Sequence, residues 1–345
     1  MKTVGFYPYP IVKGNDYTDL IIESIRRADS NIAIEPFSHH KIILKGKKYD
    51  VVWLNWFETL SNNFFSFSYE LLSKLYIIKY LKLKNVKIIT VFHDRVPHDT
   101  KHGETSKWFL KFLLNNSDTI LVLNEASRDI IKEYIGEKGL KKTFKLPHPV
   151  YALPDTADND FPSDFNVLFF GGLKPYKNIE MLIELAKLNP QIKFKIGGKP
   201  INKKYGEELE RLCRDVPNIT LIPKKLSESE LQRMVKESMI LVLPYKLKSS
   251  LNSGVMIYAF THKRNVIIPR IAAINEFKNQ NDIYWYEYDT DKEHLEILDR
   301  KLKKAYEEYK NNPELFRSKV ENLHEEVKKY TVDYLGEIIK DLQIL

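Results

Sequence analysis

What most constrains the fold of this chain is a rhythm that runs through it twice. Short β-rich runs alternate with helical patterns, first at Thr3–Phe6, Ile32–Phe37, Val51–Leu54, Lys87–Phe92 and Thr119–Leu123, with helices expected at Asp19–Arg27, Tyr69–Leu83, Ser106–Asn115 and Glu125–Ile135. Apolar runs of that length between amphipathic helices are the βαβ signature of a parallel sheet covered on both faces. The rhythm resumes with strands near Asn166–Phe170, Lys193–Ile196, Ile219–Ile222, Ile240–Leu243, Asn265–Ile268 and Ile283–Tyr286. Between the two series lie Pro147, Pro149, Pro154, Asp155, Asp158, Asp160 and Pro162, a composition that suits an interdomain linker. The fold class is therefore α/β with two doubly wound domains: residues 1–150, a linker at 151–164, and residues 165–325. The closing segment 326–345 carries Tyr334, Leu335, Ile338, Ile339 and Leu342 at helical spacing and is expected to pack back on the first domain.

Bulk properties exclude several classes. No apolar run approaches the roughly 20 residues that span a bilayer, and the N-terminus reads as a strand rather than a signal peptide. A single cysteine, Cys213, rules out an internal disulfide and suits a reducing cytoplasm. Net charge is +8, and about +7 of it falls in residues 1–150, an asymmetry that attracts polyanions: nucleic acid, an anionic membrane face or a diphosphate-linked substrate. Neither a nucleic-acid recognition motif nor an arginine-rich stretch is present, so nucleic acid is not expected as a partner.

One segment points to an anion. Phe169-Phe170-Gly171-Gly172-Leu173-Lys174-Pro175-Tyr176-Lys177-Asn178 ends an apolar run, supplies two glycines at a turn, and places two lysines ahead of Ile179, Leu182, Ile183 and Leu185. A strand that turns through glycines into a helix presents unpaired N–H groups and the positive end of the helix dipole, and lysines beside it add full charge for a phosphate.

Here the residues resemble the GT-B glycosyltransferases, most closely the retaining family 4 or group 1 transferases of bacterial polysaccharide assembly. Phe170-Gly171-Gly172-Leu173 with Lys177 is similar to the segment that grips the donor diphosphate. Ile196-Gly197-Gly198, then Pro223-Lys224-Lys225 with Ser229-Glu230-Leu231, then Ser238 to Pro244, follow in the family's order and spacing. Asn252-Ser253-Gly254 through Tyr258-Ala259-Phe260, and Val266 to Pro269, complete the likeness. The departures are specific: the usual pair of glutamates spaced by seven residues falls on Ser250 and Tyr258, and the usual diphosphate arginine falls on Gly172. Lys174 stands where it could substitute as a point charge, without the bidentate fork of an arginine. Pro244-Tyr245-Lys246 with Asn252-Ser253-Gly254 resembles a subgroup in which the N–H groups of Ser253, Gly254 and Val255 hold phosphate.

The resemblance implies two Rossmann-like domains facing across a cleft and a donor site made by Gly171, Gly172, Lys174, Lys177, Gly198, Pro223, Lys246, Asn252, Ser253, Gly254, Val255 and Tyr258. Tyr258 takes the place of the family's ribose-binding glutamate, Pro223 belongs to the loop facing the nucleobase, and Lys177 and Lys174 stabilise the leaving diphosphate. Lys246 and Lys248 suit either a solvated loop or an acidic donor sugar. In the first domain, Thr90-Val91-Phe92-His93-Asp94-Arg95-Val96-Pro97-His98-Asp99 ends a strand in two His-Asp pairs. His93, Asp94 and Lys177 are the catalytic candidates, and Asn15, His93, His98 and Asp99 the acceptor-binding ones. His93 would hydrogen-bond the sugar or handle the acceptor proton. A zinc site at His93, His98 and His102 has no matching ligand spacing, so no metal and no cofactor beyond the nucleotide-sugar substrate is expected.

Residues 62–87 interleave Phe64, Phe65, Phe67, Tyr69, Tyr76 and Tyr80 with Lys74, Lys79, Lys82, Lys84 and Lys87. That pattern suits either a core helix with a solvated lysine face or a membrane interface presenting a lipid-linked acceptor. The expected function is a cytoplasmic, peripherally membrane-bound hexosyltransferase of surface polysaccharide or capsule biosynthesis, using a UDP-sugar in preference to a GDP-sugar. A catalytically silent nucleotide- or saccharide-binding protein of the same fold and a nucleotide-sugar epimerase remain as alternatives.

Overall fold

The computed structural model describes residues 1–9, 16–38, 48–95, 102–152, 161–246 and 251–345, with backbone alone at Phe64. The chain divides into two compact units, 1–151 with 330–345, and 152–329. Among the described residues no helix is long and apolar enough to cross a membrane.

The first unit is a six-stranded sheet in the order β2-β1-β3-β4-β5-β6, from β1 (Thr3–Tyr7), β2 (Ala33–Pro36), β3 (Val51–Asn55), β4 (Lys87–Phe92), β5 (Thr119–Val122) and β6 (Thr143–Lys145). Every pairing is parallel. Because side chains alternate across a strand, the central strands feed two cores. Val51, Trp53, Ile89 and Val91 face one side, with Ile21, Ile22 and Ile25 of the helix Asp16–Ala28. Val52, Leu54 and Ile88 face the other, with Ile77, Ile78 and Leu81 of Phe64–Leu83 and Phe109 and Leu113 of Gly103–Asn116. The edge strand β6 was not anticipated, since three residues with one fully buried position carry no readable alternation.

The closing helix, Val332–Asp341, is buried at Leu335, Gly336 and Ile339 against Asp16–Ala28. A Cβ at Gly336 would stand 2.6 Å from the Cβ of Arg27, so this crossing requires glycine. The chain returns to the first unit at Tyr330 rather than at residue 326. The preceding helix, Pro313–Val327, buries Val320, Leu323 and Val327 in the second unit up to its last turn and so cannot leave earlier.

The second unit repeats the plan in the order β12-β11-β10-β7-β8-β9, again all parallel. Its strands are β7 (Asn166–Phe170), β8 (Lys193–Gly197), β9 (Ile219–Ile222), β10 (Ile240–Val242), β11 (Asn265–Pro269) and β12 (Tyr284–Tyr286). Phe169, Ile240, Leu241, Val266 and Ile267 are fully buried, as a sheet covered on both faces demands.

Ile339 is fully buried where the C-terminal helix meets the first unit. Ile339→Ala is expected to cost about 2–5 kcal/mol, read from urea unfolding. An unchanged midpoint would mean that this helix does not stabilise the unit.

Candidate functional site

In a doubly wound sheet the ligand crevice opens at the carboxyl ends of the strands where the winding direction reverses. In the second unit that point lies between β7 and β10, because β8 and β9 follow on one side of β7 and β10 lies on the other. β7 leads into Gly171 with φ +125°, and β8 into Gly198 with φ +153°, both in the region that favours glycine. The two strand ends approach so closely that a Cβ at Gly198 would lie 1.7 Å from the Gly171 carbonyl oxygen. Beyond them, Leu173 N–H donates to the Lys199 carbonyl at 2.9 Å, so the glycine turn is tied down.

Lys177 closes a short 3₁₀ turn, Pro175–Lys177, and Asn178 in a left-handed conformation (φ +57°) starts the helix Ile179–Leu188. The Lys177 ammonium lies 3.6 Å from where a Cβ would stand on Gly171. It donates to the Tyr245 hydroxyl at 3.4 Å and sits 4.8 Å from the centre of that ring. The Tyr245 hydroxyl is in turn 3.3 Å from Ser253 Oγ. Ser253 Oγ accepts from Met256 N–H at 3.2 Å as the N-cap of Gly254–Thr261, and a Val255 methyl stands 3.9 Å from the Gly171 Cβ position. Ammonium, phenol, N-cap serine and helix N-terminus thus form one continuous polar arc beside a bare glycine backbone. Such an arc stabilises an anion through full charge, helix dipole and main-chain donors together.

The other donor candidates lie around it. Gly172 is exposed, and Lys174 runs past it with a methylene 3.9 Å from the Gly172 Cβ position and its ammonium over Tyr176. Asn252 precedes the N-cap and is half-buried. Lys246 is exposed, its backbone N–H donating to the Tyr176 carbonyl at 3.2 Å. Pro223 opens the turn after β9, which a capping box of Ser227 and Glu230 closes into the helix Glu228–Lys236. Tyr258 is buried edge-on to Phe170 (5.2 Å) and stacked on His262 (4.1 Å), and its hydroxyl donates to Glu228 Oε1 at 3.3 Å. Two participants were not anticipated, Tyr245 and Glu228. Tyr245 belongs to the Pro-Tyr-Lys segment and was legible there; Glu228 reads only as a first-turn acid. Lys248 and Ser250 lie outside the described residues.

The first unit builds a different site where β1 meets β3. Asn55 Nδ2 donates to the Tyr7 carbonyl at 3.1 Å, which turns its Oδ1 toward His93 Nε2 at 3.2 Å. A carbonyl oxygen only accepts, so His93 carries its proton on Nε2. The ring is buried, stacked on Trp56 (4.2 Å, 18°) and edge-on to Tyr17 (5.2 Å). Burial, aided by the nearby His148, holds its pKa down at about 3, and burial holds His148 at about 4. Both rings are neutral at physiological pH, which suits His93 to hydrogen bonding. Trp56 has φ +50°, a strained conformation for a bulky residue. Asp94 follows His93 and is half-buried. Asn15, His98 and Asp99 lie outside the described residues, and among those described no three His, Cys, Asp or Glu side chains gather as a metal site requires.

Two buried charges flank the same turn. Lys74, expected on a solvated face, is only 5% exposed; its ammonium donates to the Phe57 carbonyl at 3.0 Å and the Thr59 carbonyl at 2.6 Å, clamping the turn between them. Glu58, on that turn, is 4% exposed, and its Oε2 has no hydrogen-bond partner among the described residues. Burial pushes its carboxyl up to about 7, with Asp94 adding to the rise. Since an unfolded glutamate titrates near 4.5, the folded chain keeps a proton that the unfolded one releases. Stability therefore falls as pH rises from about 4.5 to about 7, by roughly 3 kcal/mol in full. Glu58→Gln is expected to stabilise the protein at pH 8 and leave it nearly unchanged at pH 4, measured by denaturant unfolding. Equal effects at the two pH values would contradict the buried-carboxyl assignment.

No family model matches the chain. It is 24% identical over 271 residues to the GDP-mannose:glycolipid 4-beta-D-mannosyltransferase of Xanthomonas campestris pv. campestris, covering 75% of this chain and 73% of that protein. Among solved structures, it is similar to Anabaena Alr3699/HepE, crystallised in complex with UDP, with a TM-score of 0.72 at 12% identity over the whole of both chains. The sucrose-phosphate synthase of Thermosynechococcus elongatus superposes with a TM-score of 0.68 at 14% identity, over 88% of this chain and 75% of that one. Likeness at such identities is one of fold, and it agrees with the paired six-stranded parallel sheets described above. The chain therefore has the two-sheet GT-B architecture and is similar to glycosyltransferases of group 1.

Proposed function

We propose that the protein transfers a hexose from a nucleoside diphosphate sugar to a lipid-linked saccharide. The observation that carries this reading is the arc from Lys177 through Tyr245 and Ser253 to the N-terminus of Gly254–Thr261, set against Gly171. It offers a diphosphate leaving group an ammonium and main-chain donors where negative charge develops as the glycosidic bond breaks. Diphosphate is the group that such an array stabilises more in the transition state than in the ground state. Lys174 adds a second positive charge beside the glycine turn.

The sugar acceptor is proposed from two lines. The curated relatives are glycolipid mannosyltransferases. In this chain, Phe64–Leu83 exposes Phe65 (83%), Tyr69 (56%), Leu72 (67%) and Tyr76 (55%), a stripe at helical spacing, while Ile77, Ile78 and Leu81 fill the core. The helix thus carries large apolar side chains on its exposed side as well as in the core, and the basic excess of residues 1–150 favours an anionic bilayer as the surface that the exposed side meets. The base of the donor has support in two directions: the curated relatives name GDP-mannose, against the UDP preference expected above, and Alr3699/HepE was crystallised with UDP, in line with it.

Thermal unfolding with UDP, GDP and ADP tests the donor site, because a ligand of the folded state raises the melting temperature with its saturation. At least one is expected to give a shift that Lys177→Ala weakens by tenfold or more in affinity, a loss typical of one charge-assisted contact. No shift with any of the three would remove the donor-site reading. Sedimentation with vesicles tests the surface: binding is expected with anionic lipid and not with neutral lipid, and to fall when Phe65, Leu72 and Tyr76 are changed to serine. Binding unaltered by those changes would place the contact elsewhere.

A further inference from the structure

We infer that Glu228 recognises the ribose of the donor, accepting hydrogen bonds from its vicinal diol while Tyr258 holds the carboxylate in place. The inference rests on the reading that a nucleoside diphosphate occupies the arc around Lys177. Tyr258 lies four residues beyond Gly254, one helical turn or about 6 Å from the N-terminus proposed to hold phosphate. A ribose attached to that phosphate reaches the level of the Tyr258 hydroxyl. There the structure places a carboxylate: Glu228 Oε1 receives the Tyr258 hydroxyl at 3.3 Å and Gln232 Nε2 at 3.0 Å. Both donors fall on Oε1. Oε2 takes neither of them, and the residue is exposed.

The burial contrast is informative. Tyr258 is only 3% exposed and packed between Phe170 and His262, yet its polar end meets a surface carboxylate on a different helix. Such a phenol fixes the orientation of its partner at little entropic cost. The position also agrees with the adjoining chain, since Glu228 opens the helix that follows the Pro223 turn and Phe170 leads directly into Gly171. Two vicinal hydroxyls offer two donors, which a carboxylate accepts in charge-assisted bonds. An uncharged amide has one acceptor oxygen and loses that match.

The test compares wild type, Glu228→Gln and Tyr258→Phe for affinity toward UDP and GDP and toward their 2′,3′-dideoxy forms, by calorimetry. Wild type is expected to bind the ribonucleotide about tenfold or more tighter than the dideoxy form. Glu228→Gln is expected to erase that difference by weakening the ribonucleotide alone, and Tyr258→Phe to reduce it in the same direction. Equal binding of both forms by wild type overturns the inference, as does a Glu228→Gln change that weakens both forms alike. Wild type that binds neither UDP nor GDP, nor ADP in the melting test above, removes the donor-site reading itself, an outcome told apart because it appears before any substitution.

Discussion

The second unit is organised by how closely two parallel strands run together at their carboxyl ends. At the mouth of β7 and β8 the Gly171 carbonyl occupies the space that any side chain at position 198 would need. Bare backbone there leaves the crevice shallow enough for main-chain N–H groups to meet a ligand and brings Lys177 against Gly171. The helix Gly254–Thr261 enters from β10 on the other side of the winding reversal, so its N-terminus faces the same point. Lysine and helix end come from segments almost 80 residues apart, and Tyr245 bridges them. A parallel sheet makes this arrangement available because all its strands end on one side.

The first unit solves a different problem, which is to hold polar groups in an apolar strand-end environment without charging them. His93 is locked by Asn55 and sandwiched against Trp56, and burial keeps it neutral. Glu58 holds its proton toward neutrality because burial disfavours the carboxylate, and its Oε2 has no hydrogen-bond partner among the described residues. Lys74 stays close to Phe57 and Thr59 by donating to carbonyls rather than to a carboxylate, and burial lowers its pKa. His93, neutral for this reason, makes any new hydrogen bond in a low dielectric, where it is stronger than in water. The cost is carried by the surrounding core, where Trp53, Phe57 and Phe109 are fully buried.

Much of this was legible in the residues. The alternation of apolar runs and amphipathic helices specified two parallel-sheet units, and the Gly171-Gly172 turn with Lys177 marked the strand end where the donor site is proposed. The Ser253 N-cap and Gly254 marked the facing helix. Other parts were not legible for physical reasons. Lys74 reads as a solvated lysine until the loop carbonyls of Phe57 and Thr59 are seen to enclose it. Glu228 reads as an ordinary first-turn acid until Tyr258, thirty positions on, is seen to point at it. Tyr17 and Trp56 carry no signal of a histidine site, because only the parallel pairing of β1, β3 and β4, whose carboxyl ends lie on one side of the sheet, brings the segments after them around His93.

The amino-acid sequence by itself determined the period of each element, the parallel class of both sheets and the residues at the strand ends, since all of these follow from local patterning and backbone freedom. Only the tertiary structure decided which side chains meet there, which charges lose their water and which pKa values move. Those depend on desolvation and on contacts between residues far apart in the chain, and burial is a property of the folded volume rather than of any segment.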